Sequence, residues 1–305
     1  MAGSQDFADD PRNADLRIWL NGVFVGRDRA LVSVFDAGFV LGDGVWEGLR
    51  LHNGRLLFLE AHLDRLFASA AAIGLDMKID RAGLRSALAA TCAANGMTHG
   101  AHLRLMVTRG EKSAANQDPR NALGRPTIVI LAEYKQPAPA LRRQGLTLHT
   151  ASIRTTPPTM FDMRINSHSR LPLILALNEA IAAGADEALM LDPAGNIASC
   201  NATNFFWAMD GALCTSSDRF CFNGITRANV LALARAHGIA VQQEDFPPDV
   251  LAGASEAFVT GTFGGLTPVA AIDGRRLGAA LPKSLPGPLT SRLIAHYEQL
   301  KDKDA

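Results

Sequence analysis

Two prolines two residues apart, Pro137 and Pro139, constrain this chain more than any other local feature. Each lacks a backbone donor and fixes φ near −65°, so neither a helix nor a sheet interior runs through the pair. The chain is therefore expected in two parts. A flexible tail over 1–15 precedes a small α/β domain over 16–136. A linker at 137–140 then leads to a larger domain over 141–305.

Periodicity fills in both parts. Asn21-Gly22 between apolar runs predicts a hairpin with a type I′ turn across 17–25. Leu63, Leu66, Phe67, Ala70 and Ile73 recur at helical spacing and predict a helix over 59–73 that Gly74 ends. A second helix is expected from an Asp80 cap to Gly96. Leu103, Leu105 and Val107 alternate as in a half-buried strand, and the unbroken apolar run 127–132 suits a fully buried one. The polar stretch 110–125 between them reads as a mobile loop. Beyond the prolines, strands are expected at 146–151, 187–191, 204–209 and 257–260, with helices at 171–183, 226–237 and 288–300. Strands and helices mix in each half without strict βαβ alternation, which predicts an α+β fold of two domains around a cleft.

The bulk properties exclude more than they assign. Thirty basic residues balance thirty acidic ones, so no global field draws the chain to nucleic acid or an anionic membrane. No run approaches the roughly 18–20 apolar residues that span a bilayer, and the first fifteen residues lack a signal-peptide pattern. The four cysteines form no C-x-x-C pair, so free thiols in a reducing, cytoplasmic setting are expected and no metal site.

Two segments could hold an anion. Asn223-Gly-Ile-Thr-Arg227 opens a helix, where free N–H groups and the helix dipole attract negative charge, although Thr226 could simply cap it. Thr260-Gly-Thr-Phe-Gly-Gly-Leu-Thr-Pro268, rich in glycine and hydroxyls, could wrap a phosphate or be an ordinary loop.

These segments keep recognisable company. Val34 to Arg50, with its glycines at 38, 42, 44 and 48, resembles the glycine-rich segment early in class IV pyridoxal-phosphate aminotransferases. Glu60-Ala-His-Leu-Asp-Arg-Leu66 resembles the helix start that carries their phosphate-binding arginine. Ala185 to Asp192, Asn223 to Arg227 and Thr260 to Phe263 follow in the family's order, so the resemblance runs from about Ile18 to Leu293. It implies the fold type IV architecture with a cofactor cleft between the domains, a homodimer, and an amino acid or 2-oxo acid as substrate. It also implies a phosphate cup of Arg65, Thr262, Gly261, Ile225 and Thr226, with Asn204 as a further cofactor-binding residue. Branched-chain amino acids, D-amino acids and aminodeoxychorismate are the family's usual substrates.

The resemblance breaks at two positions. Counting back from Gly184 puts Asn166, within Met163-Arg-Ile-Asn-Ser-His-Ser-Arg-Leu-Pro172, where the family's catalytic lysine stands. A small shift of register reaches only Arg164 or Arg170, and an arginine stays protonated and forms no imine. The run Ile197 to Trp207 resembles that of aminodeoxychorismate lyases in particular. It puts Ser199 where a glutamate normally keeps the pyridine nitrogen protonated. Ordinary transamination is therefore not expected at useful rates. Two readings stay open beside a pyridoxal-phosphate enzyme: a noncovalent binder of pyridoxal or pyridoxamine phosphate or another phosphorylated metabolite, and a catalyst of altered chemistry in which His168 moves protons. If 164–168 is extended, His168 shares a face with Asn166; a helix cap or a bond to a backbone carbonyl would also account for it. Arg104 and Arg109 could reach a substrate carboxylate or sit in solvent or an interface. Phe39 and Trp46 could line the cleft or the core, and Asp43 and Glu47 read as structural acids in a glycine-rich turn.

Overall fold

The computed structural model describes residues 3–277 and 285–304. The chain folds into two compact units. One holds residues 9–136 and, from much later in sequence, 165–170; the other includes 3–8, 137–164 and 171–277.

In the smaller unit the elements are β1 (Ile18–Leu20), β2 (Val23–Val25), α1 (Ala37–Leu41), β3 (Gly44–His52), β4 (Arg55–Leu56), α2 (Leu59–Ala72), α3 (Arg81–Ala94), β5 (Ala101–Thr108) and β6 (Thr127–Tyr134). The strands form one antiparallel sheet in the order β2-β1-β6-β5-β3-β4. Asn21 and Gly22 take the positive φ values, 48° and 96°, that the hairpin turn requires. One face of the sheet packs Leu103, Leu105 and Val107 against Leu63 and Leu66 of α2 and Leu84 and Leu88 of α3. Side chains alternate along a strand, so the other face presents His102, Arg104, Met106 and Thr108, all half-buried. The run 127–132, expected to be buried throughout, behaves the same way. Ile128, Ile130 and Ala132 enter the core while Val129 and Leu131 stand on the open face, because the helices cover only one side of this antiparallel sheet.

The glycine-rich segment is no simple turn. It makes α1, capped by Asp36 Oδ1 accepting from the Gly38 N–H at 2.8 Å, and then the long strand β3. A Cβ at Gly44 would sit 2.6 Å from the Val107 carbonyl and 2.7 Å from the His168 ring. That closeness lets 165–170 lie along the start of β3: Trp46 N donates to Asn166 O and His168 N to Gly44 O, both at 2.9 Å. The stretch 110–125 is a loop, but one tied internally. It contains a 3-10 turn at Pro119–Asn121, and the buried Lys112 donates to the Asp118 carbonyl at 2.7 Å.

In the larger unit are α4 (Leu141–Gln144), β7 (Leu146–Thr150), α5 (Leu171–Ala182), β8 (Glu187–Leu191), β9 (Ile197–Cys200), β10 (Asn204–Met209), β11 (Ala212–Ser216), α6 (Ile225–Ala236), β12 (Val241–Glu244), β13 (Glu256–Gly261), β14 (Gly265–Ile272), β15 (Arg275–Arg276) and α7 (Pro288–Asp304). They build a mixed sheet in the order β12-β11-β10-β13-β14-β7-β8-β9, with β15 beside β14. Leu146, Leu148, Phe205, Trp207, Val259 and Val269 share its core. The stretch 260–268 is mostly a hairpin, since Gly261 pairs with Gly265 and only 262–264 turn. All four cysteines are buried and free.

The N-terminal tail is not loose over its described part. Ser4 is buried, and its N–H donates to Glu187 Oε1 at 2.9 Å. Glu187 is itself enclosed and also accepts from Thr203 Oγ1 at 2.8 Å. A carboxyl so enclosed is pushed above its ordinary range by burial and needs those donors. Asn13 trades two hydrogen bonds with the Tyr134 backbone, at 2.9 and 2.8 Å. No helix among the described residues is long and apolar enough to cross a membrane.

Candidate cofactor site

Successive residues of β3 face opposite ways, and the site of the smaller unit grows from that alternation. Trp46 points to the open face and Glu47 into the core, where it is fully buried. Glu47 takes Arg65 Nε on Oε1 at 2.8 Å, Arg65 Nη2 on Oε2 at 2.7 Å, and meets His62 Nδ1 at 2.7 Å. Burial alone would push this carboxyl up; the hydrogen bonds from Arg65 and His62 outweigh it and leave it below the ordinary range. Arg65 is thus no free surface arginine: α2 carries it to a buried partner.

Asn166 belongs to the same network. It is 1% exposed; its Nδ2 donates to the Trp46 carbonyl at 2.5 Å and reaches Glu47 Oε1 at 3.5 Å. Its Oδ1 accepts from Arg170 Nη2, and its backbone N–H donates to Ser69 Oγ at 3.1 Å. Both ends of the amide are used by the protein. The segment is not a regular strand; only Ser167 bridges Val45.

His168 makes a bond to a backbone carbonyl, one of the two plain explanations open to it. Its Nε2 lies 3.2 Å from Val45 O. Burial first, and then the charge of Arg104, hold its pKa below the ordinary histidine value. Its ring also lines a cavity of about 380 Å³ with Met106, Val129, Leu131 and Phe39. Phe39 is 74% exposed, so it packs no core. Arg104 lies over the Trp46 ring, its Cζ 3.4 Å from the centroid. Arg109 does something else: it pairs with Asp43 at 2.7 Å and donates to the Ile73 and Gly74 carbonyls, both at 2.8 Å. Those bonds close the C-terminal end of α2, so Arg109 is committed to structure.

In the larger unit the cap of α6 is Gly224, not Thr226, and no side chain caps the helix. Its first N–H groups, at Ile225, Thr226 and beyond, are therefore the unpaired donors of a helix start. A Cβ on Gly224 would fall 2.3 Å from Asn204 Oδ1, so only glycine brings the backbone past that side chain. Asn204 holds the approach from the other end, donating to the Phe222 carbonyl at 2.6 Å and to Ser199 Oγ at 3.3 Å. Thr226 is buried with its hydroxyl 3.5 Å from that of Tyr297. Thr260 Oγ1 is buried without a hydrogen-bond partner among the described residues. Thr262 and Gly261 stand half-exposed at the β13–β14 turn. Ser199 gives its hydroxyl proton to Thr203 O at 2.8 Å.

The residues of the larger unit offer a place for a phosphate. An uncapped helix start with a glycine approach and an orphaned buried hydroxyl nearby suit a phosphate. Asn166 offers no amine for covalent attachment, and Ser199 offers no carboxylate to a ring nitrogen. Sequence reasoning missed Arg170 as a member of the site and placed Glu47 in a turn. The alternation along β3 and the four-residue spacing from Asn166 to Arg170 were the available signals.

The profile of the family described as amino-transferase class IV matches residues 44–272. The chain belongs to that family. It is 37% identical over 292 residues to branched-chain-amino-acid aminotransferase-like protein 1 of Arabidopsis thaliana, covering 96% of this chain and 52% of that protein. The chain thus spans about half the length of that relative. It is 35% identical to the putative branched-chain-amino-acid aminotransferase of Methanocaldococcus jannaschii over 94% of this chain and 97% of that one. The structure of the branched-chain aminotransferase from the thermophilic archaeon Thermoproteus uzoniensis with norvaline superposes with a TM-score of 0.82 at 29% identity, covering 93% and 94% of the two chains. Membership of the class IV family fixes the α+β, two-domain fold type IV architecture.

Proposed function

We propose that this class IV chain binds pyridoxal or pyridoxamine phosphate through its phosphate and without a covalent bond, as an aminotransferase-like protein whose ordinary transamination is impaired. The observation that carries this reading is Asn166, with both ends of its amide spent on Trp46, Glu47 and Arg170. Ile225 and Thr226 N–H groups and the hydroxyls of Thr226 and Thr262 would hold the phosphate, and the resemblance gives Arg65 to the same phosphate. Ser199 and Asn204 would face the ring without protonating it. When bound, the cofactor supplies an exchangeable amine or aldehyde and an electron-accepting ring. The chain's own residues then supply orientation and charge but no lysine to relay the proton, a role commonly worth about 10²- to 10⁴-fold in rate. His168 is a poor replacement while its Nε2 is held at the Val45 carbonyl.

The partner would be an amino acid or 2-oxo acid, as the relatives' names suggest. A homodimer is supported by the exposed apolar side chains of Leu31, Val34, Phe35 and Phe39, which a second copy would cover. Sedimentation of the purified chain tests that directly, and a monomer at all concentrations would end it.

The decisive experiment for the cofactor adds pyridoxal phosphate to purified protein, records the absorbance spectrum, reduces with borohydride and measures intact mass. Saturable binding with no added mass is expected. A permanent mass increase would mean that a lysine reaches the aldehyde and would remove Asn166 from the centre of the account. An unchanged spectrum with no binding would remove the cofactor.

A further inference from the structure

We propose that residues 3–7 form a positioning strap for the phosphate end of the site in the larger unit, in which Ser4, acting through Glu187, holds the bend 201–203 against the β13–β14 turn. The strap is tied at both ends. At one, Phe7 bridges Pro137 in antiparallel fashion. At the other, the Asp6 N–H closes a tight turn on the Gly3 carbonyl at 2.9 Å and delivers Ser4, 2% exposed, into the protein. There the Ser4 backbone is used on both sides. Its N–H donates to Glu187 Oε1 at 2.9 Å, and its carbonyl oxygen would lie 3.5 Å from a Cβ built on Gly264. Of residues 3–7 only Ser4 is buried. Its polar backbone contacts, rather than an apolar side chain, therefore account for its place.

Glu187 carries the contact onward. Its second oxygen, Oε2, accepts from Thr203 Oγ1 at 2.8 Å. Thr203 is the pivot of the bend: its carbonyl takes the Ser199 hydroxyl at 2.8 Å and the Cys200 N–H at 2.9 Å. Its Cγ2 would lie 3.5 Å from a Cβ built on Gly261. The residues next to that pivot are those given to the cofactor. Asn204 follows Thr203 and pairs in register with Thr260, while Gly261 pairs with Gly265 across the turn that carries Thr262. One buried carboxyl thus joins the tail segment to the bend, and the Ser4 carbonyl meets the turn directly. Removing either donor leaves a buried acceptor unsatisfied, so strap, carboxyl and bend loosen together rather than singly. On this account Ser4 and Glu187 are positioning residues and touch no ligand.

The consequence for the cofactor rests on the phosphate reading above, whereas the strap is measured without cofactor, so the two fail separately. Amide hydrogen exchange, followed by mass spectrometry on cofactor-free protein, compares the unchanged chain with two variants. Ser4→Pro has no N–H to give Glu187, and Thr203→Val lacks the hydroxyl. Exchange in peptides covering 201–204 and 261–265 should rise about tenfold in each, the scale of one lost hydrogen bond to a buried carboxyl. Exchange in β11 and in the smaller unit should stay as it was, and Gln5→Ala, at an exposed neighbour, should change nothing. Saturating pyridoxal phosphate should then slow exchange at 261–265 and also at 3–7 in the unchanged chain, but at 261–265 alone in Thr203→Val. Unmoved exchange at 261–265 in Ser4→Pro would overturn the strap, as would a rise spread evenly over the whole chain. Protection that stops short of 3–7 in the unchanged chain would break the link between strap and ligand. Absence of pyridoxal phosphate binding would sink the functional reading, while the cofactor-free exchange still decides the strap. Should Ser4→Pro fail to fold, Thr203→Val decides it.

Discussion

Arg65 and Glu47 meet through two parallel hydrogen bonds, Nε to Oε1 at 2.8 Å and Nη2 to Oε2 at 2.7 Å, with the carboxylate fully buried. This pair joins α2 to β3 beside the buried apolar cluster that Val45 and Leu49 share with Leu63 and Leu66. Glu47→Ala should leave Arg65 and His62 facing a buried gap, at a cost of about 3–5 kcal/mol. Chemical denaturation measures it, and a loss under about 1 kcal/mol, the worth of an ordinary hydrogen bond, would mean that water replaces the carboxylate easily. The sign of the pH effect follows from the lowered pKa of Glu47. The contribution is whole above the unfolded value of about 4.3 and is lost as pH falls through the lower folded value. Glu47→Gln should therefore flatten the acid limb of stability against pH.

Asn166→Lys should restore covalent capture. With pyridoxal phosphate and borohydride, the variant is expected to gain the cofactor's mass at residue 166, where the unchanged chain gains none. Peptide mapping after digestion locates the adduct. Failure of the variant to gain mass, while still folded and binding the cofactor, would show that residue 166 does not face the aldehyde.

His168 should remain neutral at pH 7. Its pKa lies below the ordinary value, through burial first and the nearby Arg104 charge next, with Arg170 acting the same way and Asp36 and the Val45 carbonyl opposing. A histidine lowered on folding costs stability as the pH drops below about 6.5, because the unfolded chain takes the proton first. His168→Ala should weaken that acid dependence and lose about 1 kcal/mol for its hydrogen bond. Proton NMR of the imidazole gives the titration; a midpoint above about 6.5, the ordinary value, would reverse the assignment.

Arg109→Ala should cost about 1–3 kcal/mol, since it removes the Asp43 pair and two caps on the end of α2. Affinity for pyridoxal phosphate should be unchanged. A tenfold loss of that affinity with little loss of stability would return Arg109 to the ligand site.

Much of the fold could be read from spacing. Asn21-Gly22 signalled its hairpin because both residues accept the positive φ that the turn demands. The helices over 59–73 and 80–96 showed their buried faces as periodic leucines, and the structure has them as α2 and α3. Less legible were β11, β12 and β14, whose short or glycine-bounded runs carry no period of their own and are strands only through their neighbours. The same limit hid part of the site. The family pattern pointed to Asn166, but the role of Arg170 depends on its being folded back over Trp46, more than a hundred residues away in sequence. Glu47 looked like a turn residue until β3 placed it inside. Ser4 looked like tail because Glu187, its reason for being ordered, lies far along the chain.

The bonding of Asn166 also sets an order on sequence change. A lysine arriving there first would add a cation between Arg170 and Glu47's existing partners and would cut the amide bond that holds Arg170. Replacing Arg170 first removes that conflict and leaves Asn166 free to change afterwards. Introducing a lysine at residue 166 is thus easier in one order than the other, and the bond from Arg170 to Asn166 Oδ1 is what sets that order.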